Sequence, residues 1–165
     1  MKAKTLTLVT AVGLLLTGCG ETADEGELAY EQPLNTMRLA LDNNDEQSYL
    51  SVWLPWEKQR FLSEEGHEDF LADAYDRKAY DGKLSLKITT ADVMSEDDLE
   101  QLREKTKDQY GVRPDFTKGM LVTGELRVRK KGELLSDPRV FRLVRLENNW
   151  YICGETIESF SFSAS

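Results

Sequence analysis

The chain is predicted to be an α+β protein, with N-terminal helices packed on one face of a curved antiparallel sheet and one inserted surface helix. Three observations predict it. From Leu34 to Tyr80 the apolar residues recur at helical spacing. At Leu84 the period switches to two, as Leu84, Leu86 and Ile88 alternate with Ser85, Lys87 and Thr89. The last third is rich in β-branched and aromatic residues in runs bounded by turn formers. Helices first and strands after is the order of an α+β domain, and residues 29–160 suit one such domain with a single core.

The elements follow in order. Leu34, Met37, Ala40 and Leu41 mark a first helix, and the turn formers of DNNDE at 42–46 break it. A second helical piece carries Tyr49, Leu50, Val52 and Trp53, with Asp45 as its cap. Pro55 opens a third, ended by Gly66, because a proline at the first helical position gives up no useful N–H. A fourth, from about His67 to Tyr80, stops at Asp81-Gly82. After the strand at 84–89, Ser95 begins SEDD, a serine cap with Asp98 placed to close a capping box. The helix it starts runs to about Asp108. Leu99 and Leu102 are its only clearly apolar residues, so it lies on the surface. Three antiparallel strands are expected at 120–130, 139–147 and 150–155. KKGELLSD links the first two, and Asn148-Asn149 makes the second turn, since asparagine tolerates positive φ.

Ahead of this domain stands a different kind of segment. Lys2 and Lys4 precede the apolar run Leu6–Leu16, and small residues follow. That is the pattern of a secretory signal over residues 1–18, too short to serve as a spanning helix of about 20 apolar residues. Leu16-Thr17-Gly18-Cys19 resembles the lipobox of bacterial lipoproteins. The resemblance implies a diacylglyceryl thioether on Cys19, cleavage before it, and a protein anchored in the cell membrane by lipid and facing away from the cytoplasm. Residues 19–28, the cysteine and GETADEGEL, read as a short acidic tether of about 15–18 Å.

The order of elements also resembles the cystatin-like cone of the nuclear transport factor two-like superfamily, as carried by small lipoproteins of Gram-positive bacteria. The residues that prompt this are the helix–break–helix ALDNNDEQSYLSVW, the inserted SEDDLEQLREK, and the closing RLENNWYICG. The resemblance implies a curved sheet wrapping a helix, often with a pocket at its open end. It does not choose a function, because that fold hosts enzymes, binders and assembly modules.

Composition narrows the classes further. Formal charge is −9 over 165 residues, and removing the two lysines of the leader leaves the remainder near −11. Nucleic acid is not an expected partner of so acidic a chain, since that binding neutralises phosphates with Lys and Arg. With Cys19 lipidated, Cys153 has no internal partner. It is either a reactive thiol or a small buried residue in a strand.

Several side chains are site candidates. Seven bases against four acids fall within 120–147, in an otherwise acidic domain. Arg127, Arg129 and Arg142 are the candidates there for a small anionic ligand or an acidic envelope protein. The alternative is that these bases line a solvated sheet face and pair with acids of the 96–108 helix. His67, among Glu64, Glu65, Glu68 and Asp69, reads either as a ligand or base, or as part of a solvated helix start. DNNDE lacks the glycine and glutamate that a calcium loop needs six and twelve positions in, where Gln47 and Trp53 stand. Trp53, Trp56 and Trp150 suit either a sugar platform or a core. No metal or other cofactor is expected, and no nucleophile elbow, phosphate loop or paired-cysteine motif occurs. The expected role is a non-enzymatic binding or interaction module. The alternatives are a small enzyme with a carboxylate deep in its pocket and a ligand-free structural component.

Overall fold

Apolar spacing, caps and turn residues account for most of the element boundaries in the computed structural model, which describes residues 30–63, 71, 74–154 and 160–164. Helix α1 spans Glu31–Asn43 and buries Leu34, Met37, Ala40 and Leu41. It runs through the first residues of the expected break and ends at Asn44, whose φ of 55° is left-handed. Asp42 is thus helical. It ties α1 to the sheet, accepting the Leu84 N–H at 2.9 Å beside Arg38 and Arg77.

Helix α2 is Glu46–Ser51, capped by Asp45, whose carboxylate accepts the Ser48 N–H at 3.1 Å. It stops short of Trp53. There the chain is extended, Trp53 bridges Ile152, and the Ile152 N–H donates to the Val52 carbonyl at 2.8 Å. Helix α3, Pro55–Ser63, starts on its proline as expected. Gly66, His67 and most of the fourth helix lie outside the described residues. Leu71 and Ala74 are helical and buried, but the helix ends before Tyr75, and Arg77–Ala79 forms a 3-10 turn capped by Asp76.

The sheet is antiparallel in the order β1-β2-β3-β4: Asp81–Val93, Lys118–Lys130, Glu133–Leu146 and Asn149–Cys153, with β5, Ser163–Ala164, beside β3. Asp81-Gly82 does not stop a helix but begins β1, with Gly82 at φ 79° next to a register shift. Most of the expected link KKGELLSD is strand. Only Lys131 and Gly132 turn, both at positive φ, and Glu133 pairs Lys130. The second hairpin turns at Glu147-Asn148, one residue earlier than expected, with φ of 50° and 69°. Both turns have the two successive positive φ values that match strand twist, and pairing forces even a glutamate into one of them.

Helix α4, Glu96–Tyr110, carries the full capping box of Ser95 and Asp98 and ends at Gly111 in the left-handed region. It corrects the expectation that this inserted helix merely lies on the surface. Alternate strand residues point to opposite faces. Met120, Val122, Leu126, Val128, Phe141, Leu143 and Ile152 pack with α1 and α2. Val144 and Cys153, of the other parity, pack with Leu99, Leu102, Met94, Phe116 and Leu54. Leu99, Leu102 and also Thr106 are buried, so α4 is a cover over the second face. Gly119 permits this close approach: a Cβ there would meet Met94 Sδ at 2.6 Å and Leu99 Cδ2 at 2.8 Å.

Candidate functional site

The site begins where the sheet loses a strand. β4 ends at Cys153, opposite Arg142, while β5 pairs β3 only at Leu135 and Ser136. Between them, Asp137–Phe141 of β3 has no strand partner on that side among the described residues. Pro138 suits the gap, since it has no N–H to leave unpaired.

A cleft of about 350 Å³ opens there. Met37, Trp53, Phe141, Ile152 and Phe160 give it apolar walls, and Arg139 and Arg142 give it charge. The two arginines are differently placed. Arg139 donates from Nε to Asp137 Oδ2 at 2.9 Å, and its guanidinium lies 4.6 Å from the Phe160 ring centroid. Asp137 also accepts the Ser161 N–H at 2.9 Å, so this arginine belongs to a built structural corner. Arg142 is half-buried and makes no hydrogen bond or ion pair among the described residues. Trp53 lines the same cleft, and its Nε1 is buried without a hydrogen-bond partner. A cleft with apolar walls and an arginine in its lining is chemically suited to an organic anion.

Behind Cys153 sits a residue that the sequence did not single out. Glu57 is only 7 % exposed. Its Oε1 accepts the Gly154 N–H at 3.1 Å and faces the Cys153 thiol at 3.7 Å, while Oε2 has no partner. Burial pushes its pKa up to about 8, only partly offset by the hydrogen bonds from Gly154, Cys153 and Leu54 and by the charge of Arg142. The carboxyl is therefore mostly neutral at pH 7 and does not pair with Arg142. The Cys153 thiol is raised as well, by burial first and then by Glu57, which fits the buried reading of this cysteine and not the reactive one. In the sequence, Glu57 is an acid in the first turn of a helix, where solvated acids are common. No local signal marks it as buried, because its burial comes from β4, nearly a hundred residues on.

The three arginine candidates do not converge. Arg127, Arg129 and Arg142 share a sheet face by parity, but Arg142 pairs Leu121, and Arg127 is six residues further along β2, about 20 Å away. Arg127 is held by Glu125 at 2.5 and 2.8 Å, and Arg129 donates to the Gly132 carbonyl at 3.1 Å. The alternative, pairing of these bases with the α4 acids, does not occur among the described residues. Glu96, Glu100 and Glu104 are instead taken by Arg103, Lys107 and Arg113, which are closer in the chain and on the same surface.

The tryptophans mostly fill core. Trp56 lies 6.3 Å from Phe116 and Trp150 6.4 Å from Tyr30, leaving Trp53 as the one that reaches the cleft. His67 and Cys19 lie outside the described residues. Among the described residues no helix is long and apolar enough to cross a membrane, and no three of His, Cys, Asp and Glu are grouped to hold a metal ion. No protein-family model matches the chain, and no curated protein matches it in sequence.

Proposed function

We propose that this is an extracytoplasmic lipoprotein, tethered to the membrane through lipid on Cys19, whose folded body is a non-enzymatic binding module for a small organic anion. On this reading the α+β body is a cystatin-like cone, and the ligand enters the cleft at the β3 edge. The observation that carries the proposal is Arg142, a half-buried arginine among the residues that line this cleft, with no side-chain hydrogen bond or ion pair among the described residues. A volume of about 350 Å³ falls at the small end of ligand pockets. The neutral Glu57 nearby leaves the arginine's charge to a ligand. The basic start, apolar run and cysteine of residues 1–19 support the address.

Calorimetric titration with hexanoate, benzoate and hexyl phosphate tests the binding. At least one is expected to give saturable heat that Arg142→Ala abolishes and Arg127→Ala leaves intact. No heat with any of them, or equal binding by Arg142→Ala, overturns the site. The mass of the N-terminal peptide tests the address separately, since an unmodified Cys19 in the native protein overturns it.

A second reading, a small enzyme with a pocket carboxylate, is favoured by one observation, the raised pKa of Glu57. Cys153 and Gly154, not Glu57, face the cleft, so the carboxyl would have to act from behind them.

A further inference from the structure

The two edges of the sheet are finished differently. On the β4 side Trp53 forms a bridge to Ile152, and the Ile152 N–H is satisfied by the Val52 carbonyl. On the β1 side, α1 closes only the first part. Both backbone groups of Leu84 are taken there, its N–H by Asp42 at 2.9 Å and its carbonyl by Arg38 at 3.2 Å. Among the described residues nothing pairs the outer edge from Ser85 to Val93. Val93 is 70 % exposed, and Lys87, Thr89, Thr90 and Asp92 are exposed too. A long open edge is a template for another strand.

The backbone says which residues point outward. Leu84 bonds away from β2, so by alternation Leu86 and Ile88 do as well. A register shift between Ile88 and Thr90 inserts Thr89 as an extra residue, after which the parity changes. Met94 donates inward to the Gly119 carbonyl, which leaves Ala91 and Val93 outward. An incoming antiparallel strand must set its own outward residues against these.

We propose that the occupant of this edge is a second copy of the chain, with β1 pairing β1 about a two-fold axis between Thr89 and Thr90. In this register Leu86 meets the second copy's Val93, and Ile88 meets its Ala91. All are outward-pointing, so each pair exchanges two backbone hydrogen bonds. Lys87 falls opposite the second copy's Asp92 on the shared face, and the symmetry repeats the pair. The bulge supplies the fit: the parity change at Thr89 lets residues on either side of it match faces. Sliding the pairing by two residues, so that Leu84 meets Val93, is blocked because the backbone groups of Leu84 are already bonded within its own chain. That slide would also put Lys87 against Thr90 and lose the opposite charges. The same arrangement covers Val93 and joins two sheets into one.

Cysteine pairing tests the register, in the full chain in detergent with Cys19→Ser throughout and Cys153 buried. Lys87→Cys with Asp92→Cys is expected to give a disulfide-linked dimer on mild oxidation. Within one chain these positions lie about 16 Å apart along the strand, too far to bridge. Neither single variant should link, since each residue faces the other type. Sedimentation tests the charges without new thiols. Lys87→Asp is expected to weaken the dimer roughly tenfold by setting like charges opposite, and Lys87→Asp with Asp92→Lys to restore it. A monomer at all concentrations, a dimer indifferent to both substitutions, or equal linking by the single-cysteine variants overturns the proposal.

Discussion

Replacing Glu57 by glutamine should make the protein's stability nearly independent of pH where the wild type loses it. The native carboxyl has its pKa raised from 4.5 to about 8, chiefly by burial. A raised folded-state pKa means that its stabilising contribution is complete below the unfolded value of 4.5 and is lost as pH rises through 8. Between those limits the unfolded chain has released the proton while the native state retains it. The slope is then about 1.4 kcal/mol per pH unit, and from pH 5 to pH 8 the wild type should lose on the order of 3.5 kcal/mol through this group.

The carboxylates of Asp45, Asp98, Glu100, Glu104 and Glu125 are shifted the other way, held low mainly by hydrogen bonds from serine or arginine. Their contribution is lost only as pH falls, so it does not mimic the effect. Glutamine preserves the side-chain shape and an oxygen for the Gly154 N–H, but it has no proton to give up. Urea unfolding at pH 5, 6.5 and 8, followed by tryptophan fluorescence, reads the difference directly. The Glu57→Gln variant should match the wild type within about 1 kcal/mol at pH 5 and exceed it by about 3 kcal/mol at pH 8. The groups that Glu57 itself shifts, Cys153 and Tyr110, titrate above this range, and the other groups are common to the two proteins and cancel. If their stabilities run parallel across this range, Glu57 is ionised in the native state and the account of the buried corner fails.

Two further substitutions probe the second face of the sheet. Ser95→Ala removes the hydroxyl that accepts the Asp98 N–H, and should lower stability by about 1 kcal/mol in urea unfolding, with Ser95→Asn recovering most of it. Gly119→Ala drives a methyl into Met94 and Leu99. A loss of about 1–3 kcal/mol is expected, with Met94→Ala in the same chain relieving part of it, whereas a neutral Gly119→Ala would show that α4 does not press on β2.

What could be read from the sequence was whatever depends on neighbours a few residues apart. The capping box at Ser95, the cap at Asp45, the start of α3 at Pro55 and the alternation of β1 are all local, and all stand in the structure. Errors arose where pairing overrode local preference. Glu133–Asp137 reads as a loop because it follows a glycine and precedes a proline, yet pairing with Leu126 to Lys130 of β2 holds it as strand. The turn at Glu147-Asn148 was displaced by one residue because register, not asparagine, decides where a hairpin closes.

The candidate site was the least legible part. Arg142 stands out in the sequence only as one base among seven. What distinguishes it from Arg127 is that Glu125 holds Arg127, whereas Arg142, opposite the last residue of β4, lines the cleft and has no carboxylate on it among the described residues. Glu57 carries no mark of burial within its own helix, because the environment that raises its pKa is assembled from Cys153 and Gly154 at the far end of the chain. The sequence by itself determined the elements, their caps and the class of fold, since helix and strand periods are set by the next few residues. Only the tertiary structure decided which face α4 covers, which arginines line the cleft and which carboxyl is buried, because burial and charge balance are properties of residues that meet in space.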